Sequence, residues 1–393
     1  MPRRDIDSQA KAGGLPELAR LFLKLGFIAF GGPAAHIAMM EDEVVKRRHW
    51  ITHEHFLDLL GVTNLIPGPN STEMAIHIGL VRAGWRGLVI AGVCFIVPAV
   101  GITLLFAHLY VVYGTLPQVA PFVEGIRPAI IAIVLGAIYR LGKPLVKKNK
   151  MPGVIGAVVA LLSLLNVNEI VLLFAGGVAG ILWLNRRGFG KSVPLFVLIA
   201  FLAPAVTHAT NQAVSTDNLT LAALGLFFLK IGSILYGSGY VLVAFLQGGL
   251  VEARHWLTQT QLLDAIAVGQ FTPGPVLSTS AFIGYLLLGL PGAAVSAVGI
   301  FLPSFVFVLL VSPFIPKLRN VPSLGAFLDG VNGSALGLML AVCVTLGAAA
   351  LTRPLMWIIL VVAGVCILKW KIHPAWLVAG SALVSWLATS IQI

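Results

Sequence analysis

Apolar residues along the chain gather into long runs separated by short polar or basic loops. The runs fall at about 18–40, 57–81, 87–113, 118–141, 152–165, 169–184, 193–208, 219–247, 262–288, 292–315, 323–351, 354–368 and 372–391. About 20 consecutive apolar residues suffice for a helix to cross a bilayer. The pattern therefore predicts roughly thirteen membrane segments, with 152–165 and 354–368 short enough to be re-entrant or tilted.

One run cannot be a continuous helix. Between Gly61 and Val81 it carries Leu65-Ile66-Pro67-Gly68-Pro69-Asn70-Ser71-Thr72. Each proline lacks an N–H, and the glycine between them adds backbone freedom. The helix should break near the membrane midplane and restart at about Asn70. Broken backbone at that depth is tolerated only where protein buries it or where it lines a watery cavity. Asn70, Ser71 and Thr72 are good capping residues, and the N–H groups at the positive end of the restarted helix suit an anion. The stretch returns 206 residues later as Gln270-Phe271-Thr272-Pro273-Gly274-Pro275-Val276-Leu277-Ser278-Thr279-Ser280. Paired interruptions at matching places in two halves point to a transporter's binding site.

The rest of the repeat keeps the same offset. Lys24-x-Gly26 matches Lys230-x-Gly232, Phe30-Gly31 matches Tyr236-Gly237, and Arg48-His49-Trp50 matches Arg254-His255-Trp256. After one deletion, Pro98 matches Pro303, and Glu124-Gly125 matches Asp329-Gly330. The expected organisation is a cytoplasmic tail at 1–17, a first repeat at 18–148, a linker with further membrane segments at 149–218, a second repeat at 219–353, and C-terminal membrane segments at 354–393. Arg82 and Arg86 mark the loop after the first broken helix, whereas its counterpart near Gly289 to Gly292 is uncharged. The following loops reverse this, with Lys317 and Arg319 in the second copy. Basic loops face the cytoplasm, so the copies should be inverted, with the N-terminus inside and the C-terminus outside. The fold class expected is an all-α polytopic membrane protein of two inverted repeats with interrupted helices and roughly 10–13 transmembrane helices.

Composition agrees, with 58% hydrophobic and only 10% charged residues, which excludes an ordinary soluble globule. The net charge of +11 follows mainly from basic loops, although it would also attract an anionic substrate. The N-terminal stretch has no compact apolar segment with a cleavage site and reads as a tail, not a signal peptide. Cys94, Cys343 and Cys366 lie singly in apolar runs, so no metal, disulfide, redox or cofactor role is expected. The chain shows no phosphate-binding loop, zinc signature or nucleophile elbow, and no enzyme activity is expected.

Several polar residues sit where chemistry would need them. Lys24 and Lys230 lie inside apolar runs at equivalent places, and intramembrane charge marks function by default. The bland alternative is a lysine that snorkels to the membrane edge. Glu73 and His77 lie four apart on the helix after the first break and share a face, whereas the second copy has Thr279 and Ile283. Glu124 and Asp329 each open an apolar helix, with Arg127 three residues after Glu124, as a cap with a local ion pair or as a proton carrier. The two Arg-His-Trp runs read as membrane-edge anchors, with Arg48 and Arg254 as alternative gate residues.

The Phe30-Gly31-Gly32-Pro33 run, the paired Arg-His-Trp and the duplicated Pro-Gly-Pro together resemble the chromate ion transporter superfamily, in its long two-domain form, over nearly the whole chain. The resemblance implies an inner-membrane, multi-pass secondary transporter that exports chromate, is driven by the proton motive force, confers chromate resistance and is competed by sulfate. The second copy departs from the pattern, with Tyr236-Gly237-Ser238-Gly239 at the equivalent place. Substrate binding is expected at Lys24, Lys230, Gly31, Gly237, Pro67, Gly68, Pro69, Asn70, Ser71, Thr72, Pro273, Gly274, Pro275, Ser278 and Thr279. Proton coupling or gating is assigned to Glu73, His77, Glu124, Asp329 and Arg127, with no metal site and no cofactor. Expected partners are chromate or a similar oxyanion and the bilayer, with a homodimer as candidate assembly and no nucleic acid. The competing readings are a transporter for sulfate or another oxyanion, an anion channel on the same frame, and an intramembrane oxyanion reductase.

Overall fold

The structure is a computed structural model that describes residues 14–30, 32–114, 116, 120–165, 167–186, 218–236, 239–312, 322–370 and 372–390. Among these the fold is all helical. Four helices are long and apolar enough to cross a membrane: Asn70–Tyr113, Ala120–Lys147, Val276–Val311 and Ser323–Ala350. Shorter apolar helices accompany them, and the chain is a multi-pass membrane protein of two repeated halves. It divides into two compact units. The first comprises Met1–His108, Gly225–Gly239 and Thr272–Asn320; the second comprises Leu109–Leu224, Tyr240–Phe271 and Val321–Ile393.

In the first unit, the apolar runs at 18–40 and 57–81 are not straight spans. Helix α1 (Leu15–Ile28) ends before Pro33, where α2 (Pro33–Glu41) starts and passes into a π-helical turn, Asp42–Arg47. The end of this segment returns to its start: Arg48 Nη1 lies 2.7 Å from Glu17 Oε1, and Lys24 Nζ lies 2.9 Å from Glu43 Oε1. The next segment behaves alike. Helix α3 (His53–Thr63) stops before Pro67, and α4 (Asn70–Tyr113) starts beyond Pro69. Helix α4 bends sharply at Ala83 and Gly84, where φ is 61° at the glycine, so residues 70–82 form a separate limb. Arg82, at the end of that limb, reaches Glu17 Oε2 at 3.9 Å and lies 4.8 Å over the Trp50 ring. Both pairs are thus helical hairpins with their feet together and their proline-rich breaks at the tips. Leu18, Phe22, Leu25, Met40, Val44, Phe56, Leu59, Met74, Ile78 and Phe95 fill the core between the hairpins and the second limb of α4.

The two copies match in backbone detail. The bend at Ala83-Gly84 recurs at Leu288-Gly289, where the glycine φ is 64°. His49 and His255 both hold positive φ, 50° and 52°. Arg48 and Arg254 each lie 5.4 Å over the tryptophan two residues on.

In the second unit, α5 (Ala120–Lys148) packs against α13 (Pro354–Lys369) and α14 (Pro374–Ser390). Its counterpart α12 (Pro322–Ala350) packs against α6 (Met151–Leu164) and α7 (Glu169–Arg186). The terminal helix pair of each half therefore seats on the long helix of the other. Small residues allow the close approach. Gly125 abuts Ser381 and Ser385, and its counterpart Gly330 abuts Gly176 and Gly177.

Candidate functional site

The first break is a turn in which Pro67 and Pro69 bracket Gly68, at φ 144°, a region that favours glycine. Its N–H donates to the carbonyl of Leu235 at 2.6 Å. At the second break Gly274, at φ 84°, donates to the carbonyl of Ala29 at 2.8 Å. Ala29 follows α1, and Leu235 follows the equivalent helix α8 (Leu221–Ile234). Each broken helix is thus pinned to the end of the other copy's first helix. The reciprocity extends to side chains. A Cβ on Gly68 would meet the Ser304 hydroxyl at 2.6 Å, and one on Gly274 would meet the Ala99 methyl at 2.7 Å. Ser304 and Ala99 are counterparts. Thr103 Oγ1 donates to Ser278 Oγ at 3.1 Å, another bond between the copies.

The first break is closed by Asn70 Nδ2, which donates to Asn64 Oδ1 at 2.6 Å, and α4 opens with Thr72 and Glu73 amides donating to the Pro69 carbonyl. Ser71, Thr72, Glu73 and His77 are all buried. The Glu73 carboxylate folds back over Gly68. Neither of its oxygens, nor Thr72 Oγ1, nor Ser304 Oγ, nor either His77 ring nitrogen has a hydrogen-bond partner among the described residues. The second break carries no acid. Thr279 Oγ1 donates to the Val276 carbonyl and Ser280 Oγ to the Leu277 carbonyl, both at 2.8 Å.

The lysines differ. Lys24 is about half exposed and paired with Glu43. That hydrogen bond, with help from Arg48 Nε at 3.2 Å, holds the Glu43 carboxyl below the usual carboxylate range. Lys230 is half-buried, and the position equivalent to Glu43 is Gly249. Gly31 and Gly237 lie outside the described residues. In the second unit, Arg127 Nε and Nη2 bind Asp264 Oδ1 and Oδ2 at 3.0 and 3.1 Å, and Tyr110 donates to Asp264 Oδ2 at 2.8 Å. Glu124 lies 3.7 Å from exposed Arg353 rather than on Arg127, its neighbour in sequence. Asp329 is half-buried on α12.

The chromate transporter family model matches residues 16–181 and 222–386. The chain belongs to the chromate transporter family. The two matched regions include both hairpins and the terminal helix pairs of each half. The chain is 34% identical over 375 residues to a protein of Cupriavidus metallidurans named chromate transport protein, covering 95% of this chain and 93% of that one. It is 31% identical to a probable chromate transport protein of Synechococcus elongatus, covering 86% of each. It is 32% identical to a chromate transport protein of Pseudomonas aeruginosa, covering 86% of this chain and 82% of that one. No solved structure matches. Within this family member, the structure brings Pro67 to Glu73, Pro273 to Thr279 and the ends of α1 and α8 into one unit. Sequence reasoning missed Ser304, Thr103, Tyr236 and Glu43 as neighbours of the site. For all four a signal existed: each is polar where its counterpart, Ala99, Val308, Phe30 or Gly249, is not.

Proposed function

We propose that the chain is a secondary transporter that exports chromate, or a closely similar tetrahedral oxyanion, across the inner membrane, and that the proton motive force drives it and chromate resistance follows. The observation that carries this reading is the reciprocal pinning of two interrupted helices, each through the N–H of its own glycine to a backbone carbonyl of the opposite copy. Such helix ends, exposed by turns of the other repeat, change partners when one repeat moves against the other. The names of the relatives, which are chromate transport proteins, support the substrate class.

A dianion in a membrane needs compensating charge. Each helix N-terminus supplies about half a unit, so a lysine is required as well. Lys230 is the better placed, because it lies deeper in its apolar run than Lys24, which is close to Arg20 and the membrane edge. The remaining binding groups are Asn70 to Thr72 at one break and Ser278 and Thr279 at the other, with Arg127 and Asp264 acting as a gate in the second unit. The test is radiolabelled chromate and sulfate flux in proteoliposomes with an imposed pH gradient. Accumulation against a gradient is the expected result. Flux that only runs downhill would leave a channel, and no flux would overturn the reading.

A further inference from the structure

We propose that the first break also holds the coupling proton: Glu73 carries the proton over Gly68, and proton and oxyanion cross the membrane together, in the same direction. This rests on the oxyanion-transport reading above and assigns the two breaks different tasks.

Glu73 has no structural explanation. It does not cap α4, since Pro69 has no N–H and the Gly68 N–H is committed to Leu235. It forms no ion pair among those found in the described residues, and both its oxygens are buried without a hydrogen-bond partner. An unpaired charge in such a place is costly, and where one is kept it marks a site. The groups that face it are Ser304 on α11 (Thr279–Val311), Tyr236 beyond the end of α8, and Thr72 and His77 of its own helix, with His55 of α3 acting on His77. None of these is a fixed cation. The two-fold frame is otherwise kept at the second break, yet there the acid is Thr279 and Ser304 is Ala99. The asymmetry therefore lies in the chemistry, not in the backbone.

The arrangement constrains coupling. Ionised Glu73 and a dianion near the same helix ends repel each other strongly in a medium without water. Protonated Glu73 removes that repulsion and becomes a donor. The carboxylate takes up one proton on the face where oxyanion binds and gives it back on the face where oxyanion leaves. The transported unit still carries one net negative charge, so the electrical part of the proton motive force, inside negative, drives it outward, while the proton itself leaves against the pH gradient.

The full-length protein in proteoliposomes tests this, with sulfate as probe and a pH-sensitive dye in the lumen. Inward sulfate flux should acidify the lumen in step with uptake, and an acidic exterior should accelerate it. Glu73→Gln should move at least tenfold fewer protons per sulfate transported and lose the response to external pH. Wild-type flux without proton movement, with movement in the opposite sense, or with a sodium gradient replacing the proton gradient, overturns this proposal alone. So does proton movement retained in Glu73→Gln. The wild-type measurement decides even if the variant fails to fold. Absence of any oxyanion flux in wild type overturns the transport reading as well.

Discussion

The amide of Gly68 donates to the carbonyl of Leu235, 167 positions away in the other repeat, at 2.6 Å, and Gly274 and Ala29 make the mirror bond. Pro-Gly-Pro alone supplies a break, but a break leaves carbonyls and N–H groups that lipid cannot satisfy. The two copies solve the problem for each other. Neither half can close its own tip, so the site exists only in the folded pair.

Gly68→Ala and Gly274→Ala should each destabilise the protein by about 1–3 kcal/mol, because positive φ is strained for alanine. The Gly68 variant should suffer more, since its Cβ meets the Glu73 carboxylate and the Ser304 hydroxyl. Gly61→Ala is the control, because a Cβ there meets nothing within 4 Å. Thermal unfolding in detergent measures all three, and equal midpoints would show that the tips tolerate side chains.

Much of this was legible in the sequence. The repeat, the two breaks and the all-helical membrane fold follow from proline, glycine and apolar run length. The hairpins did not, because an apolar run of about 23 residues, as at 18–40, has the same length whether it crosses or turns back. The deciding contacts are Glu17 with Arg48 and Arg82, which are long-range pairs with no periodic signature. Glu43 was invisible as a partner of Lys24 for the same reason.

Lys230→Met should weaken sulfate-competable chromate binding more than Lys230→Arg, which keeps the charge. It should also weaken binding more than Lys24→Met, because Lys24 is closer to the membrane edge. Binding to each purified variant measures this. If both methionine variants bind like wild type, the lysines are anchors and the helix ends carry the anion alone.

Glu43 gives a pH dependence of defined sign. Its carboxyl is held below the ordinary value, first by the Lys24 hydrogen bond. A group whose value is lower folded than unfolded contributes stability above the unfolded value and loses it as pH falls through the folded one. Glu43→Gln should therefore lower the thermal midpoint at neutral pH, and the gap to wild type should close as the pH is brought below the usual glutamate range, about 4.3. A gap that widens in acid would contradict the ion pair.

The hairpins make the sharpest topological prediction. If 18–40 and 57–81 each crossed the membrane once, the loop between them would lie opposite the loop after Val81. In the structure the foot at Arg48 and Trp50 instead meets Glu17 and Arg82, with Arg82 4.8 Å over the Trp50 ring. Thr52 and Arg86 must then lie on one face. That face is expected to be cytoplasmic, because Lys46, Arg47, Arg48, Arg82 and Arg86 cluster there. Gly289, the counterpart of Gly84 at the bend after the second broken helix, should lie on the other face, as inverted copies require. With Cys94, Cys343 and Cys366 replaced, single cysteines at Thr52, Arg86 and Gly289 can be treated with an impermeant thiol reagent in oriented vesicles. Thr52→Cys and Arg86→Cys should react together and Gly289→Cys from the opposite side. Reaction of the first two from different sides would restore two straight spans and dissolve the hairpins; reaction of all three from one side would make the copies parallel.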